Sequence, residues 1–395
     1  MAGAVKKLPP VMNFASLDVG SANYLVHTAL AHAISGREKN TIRIIPSGSD
    51  VARTSMLNQG RVDFGVFGAV TTFEGVVFMA AGPDAGPQTL RYVATNFPDT
   101  NTLTACAADL WPNEKDAIAK GSVIKTPMDI PKGTRFNYIE NSFGFNNANE
   151  AWIAYSGSKR DDMKWVPVPS HGQSARTIVE GRSDCFWTAT NTAQNEDLAN
   201  SPRGYAPISL HKDATTTQAA AWKRLSAVNP TQVYGVATEG VKPVSKEIPN
   251  YGNNSAFASV ETNSKVSTEL VYAFAKSLYE SFNDFKDSVP GIKGFTPESA
   301  IARINDSFVP YHDGLVKYLK EKNLWNATAE AKQQKLLARE KVLQRAWDRM
   351  LAESSQKNVT KTEEFEDLWM SIRAQEFKKD GLDPLWETVY WRTKK

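Results

Sequence analysis

Pro46-Ser47-Gly48-Ser49-Asp50-Val51-Ala52-Arg53-Thr54 runs on, one short helix later, into Gly60-Arg61-Val62-Asp63-Phe64. Far downstream, Pro169-Ser170-His171-Gly172-Gln173-Ser174-Ala175-Arg176-Thr177 runs on into Gly181-Arg182-Ser183-Asp184-Cys185-Phe186. Pro-Ser and Ala-Arg-Thr keep the same internal spacing in both copies, and both copies close on Gly-Arg-x-Asp. Each reads as a strand, a polar turn, a short helix, a glycine that ends the helix, and a new strand. One supersecondary unit is therefore expected once in each of two similar α/β lobes.

Outward from this echo, short β-rich runs alternate with helical patterns from residue 11 to about 325, the signature of an α/β chain. Strands are expected at 11–17, 41–45, 62–67, 90–95, 103–107, 135–139, 164–168, 184–187, 205–210, 232–237 and 257–260. Helical spacing is clearest over 266–285, where Val266, Leu270, Phe274, Leu278, Phe282 and Phe285 recur. Thr296-Pro297-Glu298 has the N-cap, the first-position proline and the first-turn acid of a helix start. After Trp325 the character changes. Residues 327–395 are highly charged and free of strand signal, with one stripe of Leu336, Leu343, Trp347 and Met350 and another of Phe365, Leu368, Trp369 and Ile372. This predicts an appended helical hairpin whose apolar stripes cover a lobe.

The 395 residues suffice for two domains and an appendage, and 41% hydrophobic with 23% charged is the composition of a globular chain. A net charge of +3 without a basic block argues against nucleic acid. No apolar run approaches the ~20 residues of a membrane span. The first seventeen residues lack the apolar core of a secretory signal, so the chain is either cytoplasmic or without its signal. Two cysteines, Cys106 and Cys185, exclude a disulfide-rich scaffold and a four-cysteine zinc site. A bridge between them is open, but two buried free thiols are the expectation.

Catalytic signatures are missing: no Gly-x-Ser-x-Gly, P-loop, Gly-x-Gly-x-x-Gly or Cys-x-x-Cys occurs. His27 and His32 lie five apart and diverge on a helix, so no zinc pair is expected; His211 and His312 are isolated. Present instead are small polar turns where strands pass into helices, at 18–24, 47–50, 68–71, 141–146 and 170–174. The first N–H groups of a helix lack internal partners and carry partial positive charge, so several such turns converging make a cradle for a carboxylate.

At these turns the sequence resembles the TAXI family, the solute receptors of TRAP transporters. The likeness is carried by Gly20, Ser21 and Tyr24 with the alanines Ala29, Ala31 and Ala33. It continues through Ser47 to Gly65 with Gly68, through Asp129-Ile130-Pro131-Lys132-Gly133 before Asn141 to Phe145, and through Pro310-Tyr311-His312-Asp313-Gly314 to Trp325. Asp18 departs from the family's glycine- and threonine-rich first loop, and the helices beyond 326 exceed its usual length. The resemblance implies a type II periplasmic-binding fold: lobe one at 11–97 and 238–326, lobe two at 98–237, two crossover strands, and closure on a ligand.

It implies a periplasmic, monomeric receptor, not an enzyme, that needs no cofactor or metal. Such a receptor hands a small organic anion such as glutamate or 2-oxoglutarate to TRAP membrane subunits. Ser21, Asn23, Tyr24, Ser47, Ser49 and Gly68 are expected along one wall, and Asn141, Ser142, Gly144, His171, Gln173, Ser174 and Trp187 along the other. Tyr24 and Trp187 would pack the ligand's carbon skeleton, with Phe143 and Phe145 close by. An enzyme on the same two lobes, or a scaffold acting through the hairpin, are the alternatives.

Overall fold

The computed structural model describes residues 7–76, 86–96, 99–140, 142–255 and 258–386. Its strands form two sheets. Five strands make the first: β1 (Val11–Ser16), β2 (Thr41–Pro46), β3 (Phe64–Gly65), β4 (Leu90–Ala94) and β12 (Val260–Asn263), in the order β2-β1-β3-β12-β4. The second holds β5 (Thr102–Ala107), β6 (Arg135–Ile139), β7 (Lys164–Val168) and β8 (Cys185–Ala189). It also holds β9 (Tyr205–Pro207), β10 (Tyr234–Ala237) and β11 (Asn250–Asn253), in the order β10-β11-β5-β8-β6-β7 with β9 beside β5. Each sheet has its own apolar core beneath flanking helices, so the chain is the two-lobed α/β molecule that the echo predicts.

The echo has a direct structural cause. In the first lobe β1 lies parallel between β2 and β3; in the second, β6 lies parallel between β7 and β8. The aspartate closing each Gly-Arg-x-Asp grips the middle strand twice. Asp63 N donates to Asn13 O and its Oδ2 accepts from Asn13 N, both at 2.8 Å. Asp184 N donates to Arg135 O at 2.7 Å, and its Oδ2 accepts from Arg135 N at 3.0 Å. Gly60 and Gly181, at φ +67° and +75°, end the two helices in the left-handed region that favours glycine.

Each sheet is then completed by an antiparallel strand arriving from the other lobe: β12 against β3, and β5 against β8. The chain passes from the first sheet to the second between β4 and β5, and back between β11 and β12. Asparagines knit these crossings: Asn101 Nδ2 donates to Gly235 O and Asn250 O, and Asn254 Nδ2 to Thr100 O.

Three details differ from the sequence reading. Asn250–Asn253 forms a strand of the second sheet, although it was expected in the first lobe; Asn-Tyr-Gly-Asn carries no β signal and is held by its neighbours. The strand expected at 257–260 starts at Val260 and runs to Asn263. The free thiols are corrected: Cys106 and Cys185 are joined by a disulfide, since they stand directly opposite in the antiparallel β5–β8 ladder. Only strand pairing brings residues 79 positions apart together, and spacing alone carries no sign of it.

The C-terminal hairpin consists of Ala327–Gln356 and Thr362–Lys379. Its stripes join the first lobe's core through Leu343, Trp347, Met350, Phe365, Trp369 and Ile372, with Trp347 edge-on to Trp369 at 5.0 Å. Beneath them sits fully buried Glu74, which ends the short helix Ala69–Phe73 and accepts from both Arg339 and Arg373. Arg339 Nη1 also donates to Asp383 O and Arg373 Nη1 to Trp386 O, so the final turn is tied into the same knot.

Two outcomes follow from this packing. Replacing both cysteines by alanine should lower unfolding stability by about 2–5 kcal/mol, because the bridge closes a long loop; urea denaturation measures it. Glu74→Gln leaves two buried guanidiniums around a neutral amide and should cost about 3–5 kcal/mol, read the same way.

Candidate functional site

The strand-to-helix corners of both lobes converge on one cavity of about 230 Å3. From the first lobe come Leu17, Ser21, Asn23, Asp50, Arg53, Val66, Gly68 and Glu261. The second lobe contributes Gly144, Phe145, His171, Trp187, Thr188 and Thr192. Thr102 and Asn253 line it from beside the crossings.

Arg53 shapes the first wall. Only 1% exposed, its guanidinium donates from Nε to Val66 O at 2.6 Å, from Nη1 to Ser47 O and from Nη2 to Asp50 Oδ1. It therefore ties the corner after β2 to the corner after β3. Gly68, at φ +65°, lets the chain turn under Asp50; a Cβ there would stand 2.9 Å from Asp50 Cγ. Burial raises the Asp50 carboxyl above its usual range, against the pull of Arg53.

Asp50 Oδ2 faces the opposite lobe, 3.9 Å from where a Cβ on Gly144 would stand, at the start of helix Phe143–Ser156. Nearby, Gly172 N donates to Asp18 Oδ2 at 3.4 Å. Two corners of the second lobe, expected to cradle a foreign anion, are thus faced by carboxylates of the first.

Glu261 completes the floor. Its Oε2 accepts from Phe67 N at 2.8 Å and its Oε1 from Ser259 Oγ at 2.7 Å, and burial pushes its carboxyl up to about 7. Ser259 O in turn meets His27 Nε2 at 3.1 Å, and His27 Nδ1 meets Ser16 Oγ at 3.0 Å. On the second wall His171 Nε2 donates to Trp187 O at 3.1 Å, which leaves Nδ1 to accept from Gln194 Nε2 at 3.4 Å. Burial lowers both His27 and His171 to about 4, so each ring is neutral near pH 7.

Of the residues expected on the walls, Ser21, Asn23, Gly68, Gly144, His171 and Trp187 line this cavity. Tyr24, Ser47, Ser49, Ser142, Gln173 and Ser174 are not in its lining. Ser49 spends its hydroxyl as the cap of helix Asp50–Asn58, accepting from Ala52 N, and Ser21 likewise accepts from Tyr24 N. Ser47 serves through its carbonyl, and Ser174 Oγ points back to Ser170 O. Ser142 is buried under its helix, and Gln173 is exposed. Asn141 lies outside the described residues. Phe143 packs into the first lobe's core, whereas Phe145 lines the cavity against His171, ring centroids 4.5 Å apart.

Asp50, Arg53 and Glu261 are the residues the sequence reading passed over. The first two stand inside the quoted echo. A glutamate between Val260 and Thr262, in a short strand, was the signal for the third. Among the described residues no group of histidines, cysteines and acids could hold a metal.

The sequence pattern of the NMT1-like family matches residues 15–322. The chain belongs to the NMT1-like family. Residues 323–395, with the hairpin, lie beyond the NMT1-like match. No curated protein matches by sequence.

Solved structures of similar outline include the periplasmic binding protein BugD, 8% identical at a TM-score of 0.45, covering 79% of this chain and 96% of that one. An ancestral arginine-binding protein is 12% identical at 0.43, covering 72% and 100%. A Brucella ovis periplasmic binding protein with glutathione bound is 8% identical at 0.40, covering 75% and 74%.

The buried rings make a pH prediction. An unfolded histidine takes up its proton near 6.5, whereas folded His171 stays neutral to about 4. Over that window the unfolded state binds more protons, so His171 makes stability rise with pH, by on the order of 3 kcal/mol. Glu261 acts oppositely, holding its proton to about 7 when folded, so its contribution falls as pH climbs from 4.5 to 7. Chemical denaturation across pH 4–7 should show a flatter acid limb in His171→Gln and a steeper rise in Glu261→Gln.

Proposed function

We propose that this chain is an extracytoplasmic solute receptor that closes its two lobes on a small metabolite and delivers it to a membrane transporter. The observation that carries the reading is the shared cavity: the corners of two like lobes meet across it, and among the described residues the strands change sheet twice, between β4 and β5 and between β11 and β12. Such a molecule can hinge about the crossings, and closure removes water from the ligand and strengthens each polar contact. Among the described residues no helix is long and apolar enough to cross a membrane. The Cys106–Cys185 bridge accords with an oxidising compartment such as the periplasm.

The transporter is of the TRAP type, by the resemblance to the TAXI receptors at residues 11–325, and the metabolite is a small organic acid. A cavity of this size is below the ~300–1,000 Å3 typical of drug-sized ligands, so the solute is smaller than those. Micromolar affinity needs about 8 kcal/mol, within reach of a few buried hydrogen bonds and the apolar contact of Trp187 and Phe145. Neutral His171 and capped Ser21 hold structure here, and neither is paired as a nucleophile with a base, which favours capture over turnover.

The test is Gly144→Leu. Its Cβ has room, but the rest of the side chain fills the cavity, so the fold survives while the solute is excluded. Native mass spectrometry of the wild-type protein should reveal one small co-purified solute that the variant lacks. Calorimetry with that solute should show at least ~100-fold weaker binding to the variant. Equal occupancy in both proteins would refute the cavity as the binding site.

A further inference from the structure

We propose that the solute of this cleft carries a protonated nitrogen and no net negative charge, and that Asp50 and Glu261 receive that nitrogen. This rests on the receptor reading and narrows its organic acids to zwitterions whose amine balances the carboxylate, while admitting simple amines.

The charge inventory of the cavity leads there. Its acidic and basic side chains, among the described residues, are Asp50, Arg53, Glu261 and Asp306, the last paired with Arg303 outside the lining, so Asp50 and Glu261 are the acids set against Arg53. The base is already committed. Each of the three guanidinium nitrogens of Arg53 donates within the protein, one of them to Asp50 itself. His171 is held neutral with both ring nitrogens engaged, so it lends no charge. The helix starts that would attract an anion in the second lobe face first-lobe carboxylates, Asp50 Oδ2 near Gly144 and Asp18 Oδ2 at Gly172 N. A free carboxylate entering here would face the Asp50 and Glu261 carboxyls in a buried enclosure whose one lining cation, Arg53, is already paired, so its charge would go uncompensated.

A second observation points to a donor on the ligand. Asn23 lines the same cavity, is only 6% exposed, and its Oδ1 has no hydrogen-bond partner. A buried acceptor left unmet costs free energy, and a ligand N–H would satisfy it. Asp50 Oδ2 and the 2%-exposed Glu261 carboxylate offer further acceptors across the same space. Trp187, Phe145 and Val66 line the same space among neutral threonines and asparagines, ready to pack a carbon skeleton. A positive nitrogen on an apolar body matches both halves of this surface.

The experiment uses the full chain, dialysed exhaustively, and calorimetry at pH 7 with pairs of probes alike in shape and different in charge. L-Glutamine is set against L-glutamate, and phenethylamine against 3-phenylpropionate, with 2-oxoglutarate alongside. The neutral or cationic member of each pair should bind at least ~10-fold more tightly. Glu261→Gln should shrink that preference about 10-fold without abolishing the fold. Asp50→Asn, read in parallel with a melting curve, should do the same. Tighter binding of L-glutamate, 3-phenylpropionate or 2-oxoglutarate than of its partner would overturn the proposal and leave the receptor standing. Binding of none of the five, with no solute extracted from the purified protein, would remove the receptor reading and this inference with it.

Discussion

The guanidinium of Arg53 is the constraint on which the site depends. It lies inside the first lobe, where a charge is tolerated only if its donors are satisfied, and the groups that satisfy it are Ser47 O, Val66 O and Asp50. Because Ser47 follows β2 and Val66 follows β3, the two corners are pinned to each other. Asp50 is held with one oxygen inward on Arg53 and the other facing the second lobe. The cavity wall is thus a by-product of solvating one buried cation. The echoed Arg176 shows the contrast: it is exposed and pairs with Glu180 on the surface, so the second lobe's corner is not braced in the same way.

From that braced corner a chain of buried polar contacts runs outward. Gly68 tucks beneath Asp50, the helix Ala69–Phe73 follows, and its end residue Glu74 is clamped by Arg339 and Arg373 of the hairpin. The appendage that lies beyond the family match therefore closes the core directly behind one cavity wall. On the other side, Glu261 links the corner after β3 to Ser259, His27 and Ser16. Both crossings deliver a strand into the sheet of the lobe they enter, which is why neither lobe is complete without chain from either side of the hinge.

Most of the fold is legible in the residues. The spacing of Pro-Ser, Ala-Arg-Thr and Gly-Arg-x-Asp predicts the repeated unit because the closing aspartate does the same job twice, bridging the middle strand through its backbone and side chain. The hairpin stripes of Leu343, Trp347 and Trp369 read correctly because apolar periodicity is local. The site was legible only in part. Turns rich in serine and glycine do mark the corners, but serine at a corner has two uses. Ser49 caps its own helix and Ser174 bonds its own turn, while Asn23, one position inside a helix, faces the cavity. The difference lies in which way a side chain leaves the backbone, and composition carries no record of that.

Local residue order is enough to specify two like α/β lobes, a helical appendage and the polar corners between strand and helix, because periodicity, caps and helix-ending glycines act within a few residues. The tertiary structure alone decided that Cys106 meets Cys185, that Asn250–Asn253 is a strand, and that Asp18 and Asp50 stand opposite the second lobe's corners. Those outcomes depend on the pairing of segments far apart in the chain. With them goes the sign of charge inside the cleft, since each lobe's corners considered alone invite an anion and only their apposition places carboxylates against them.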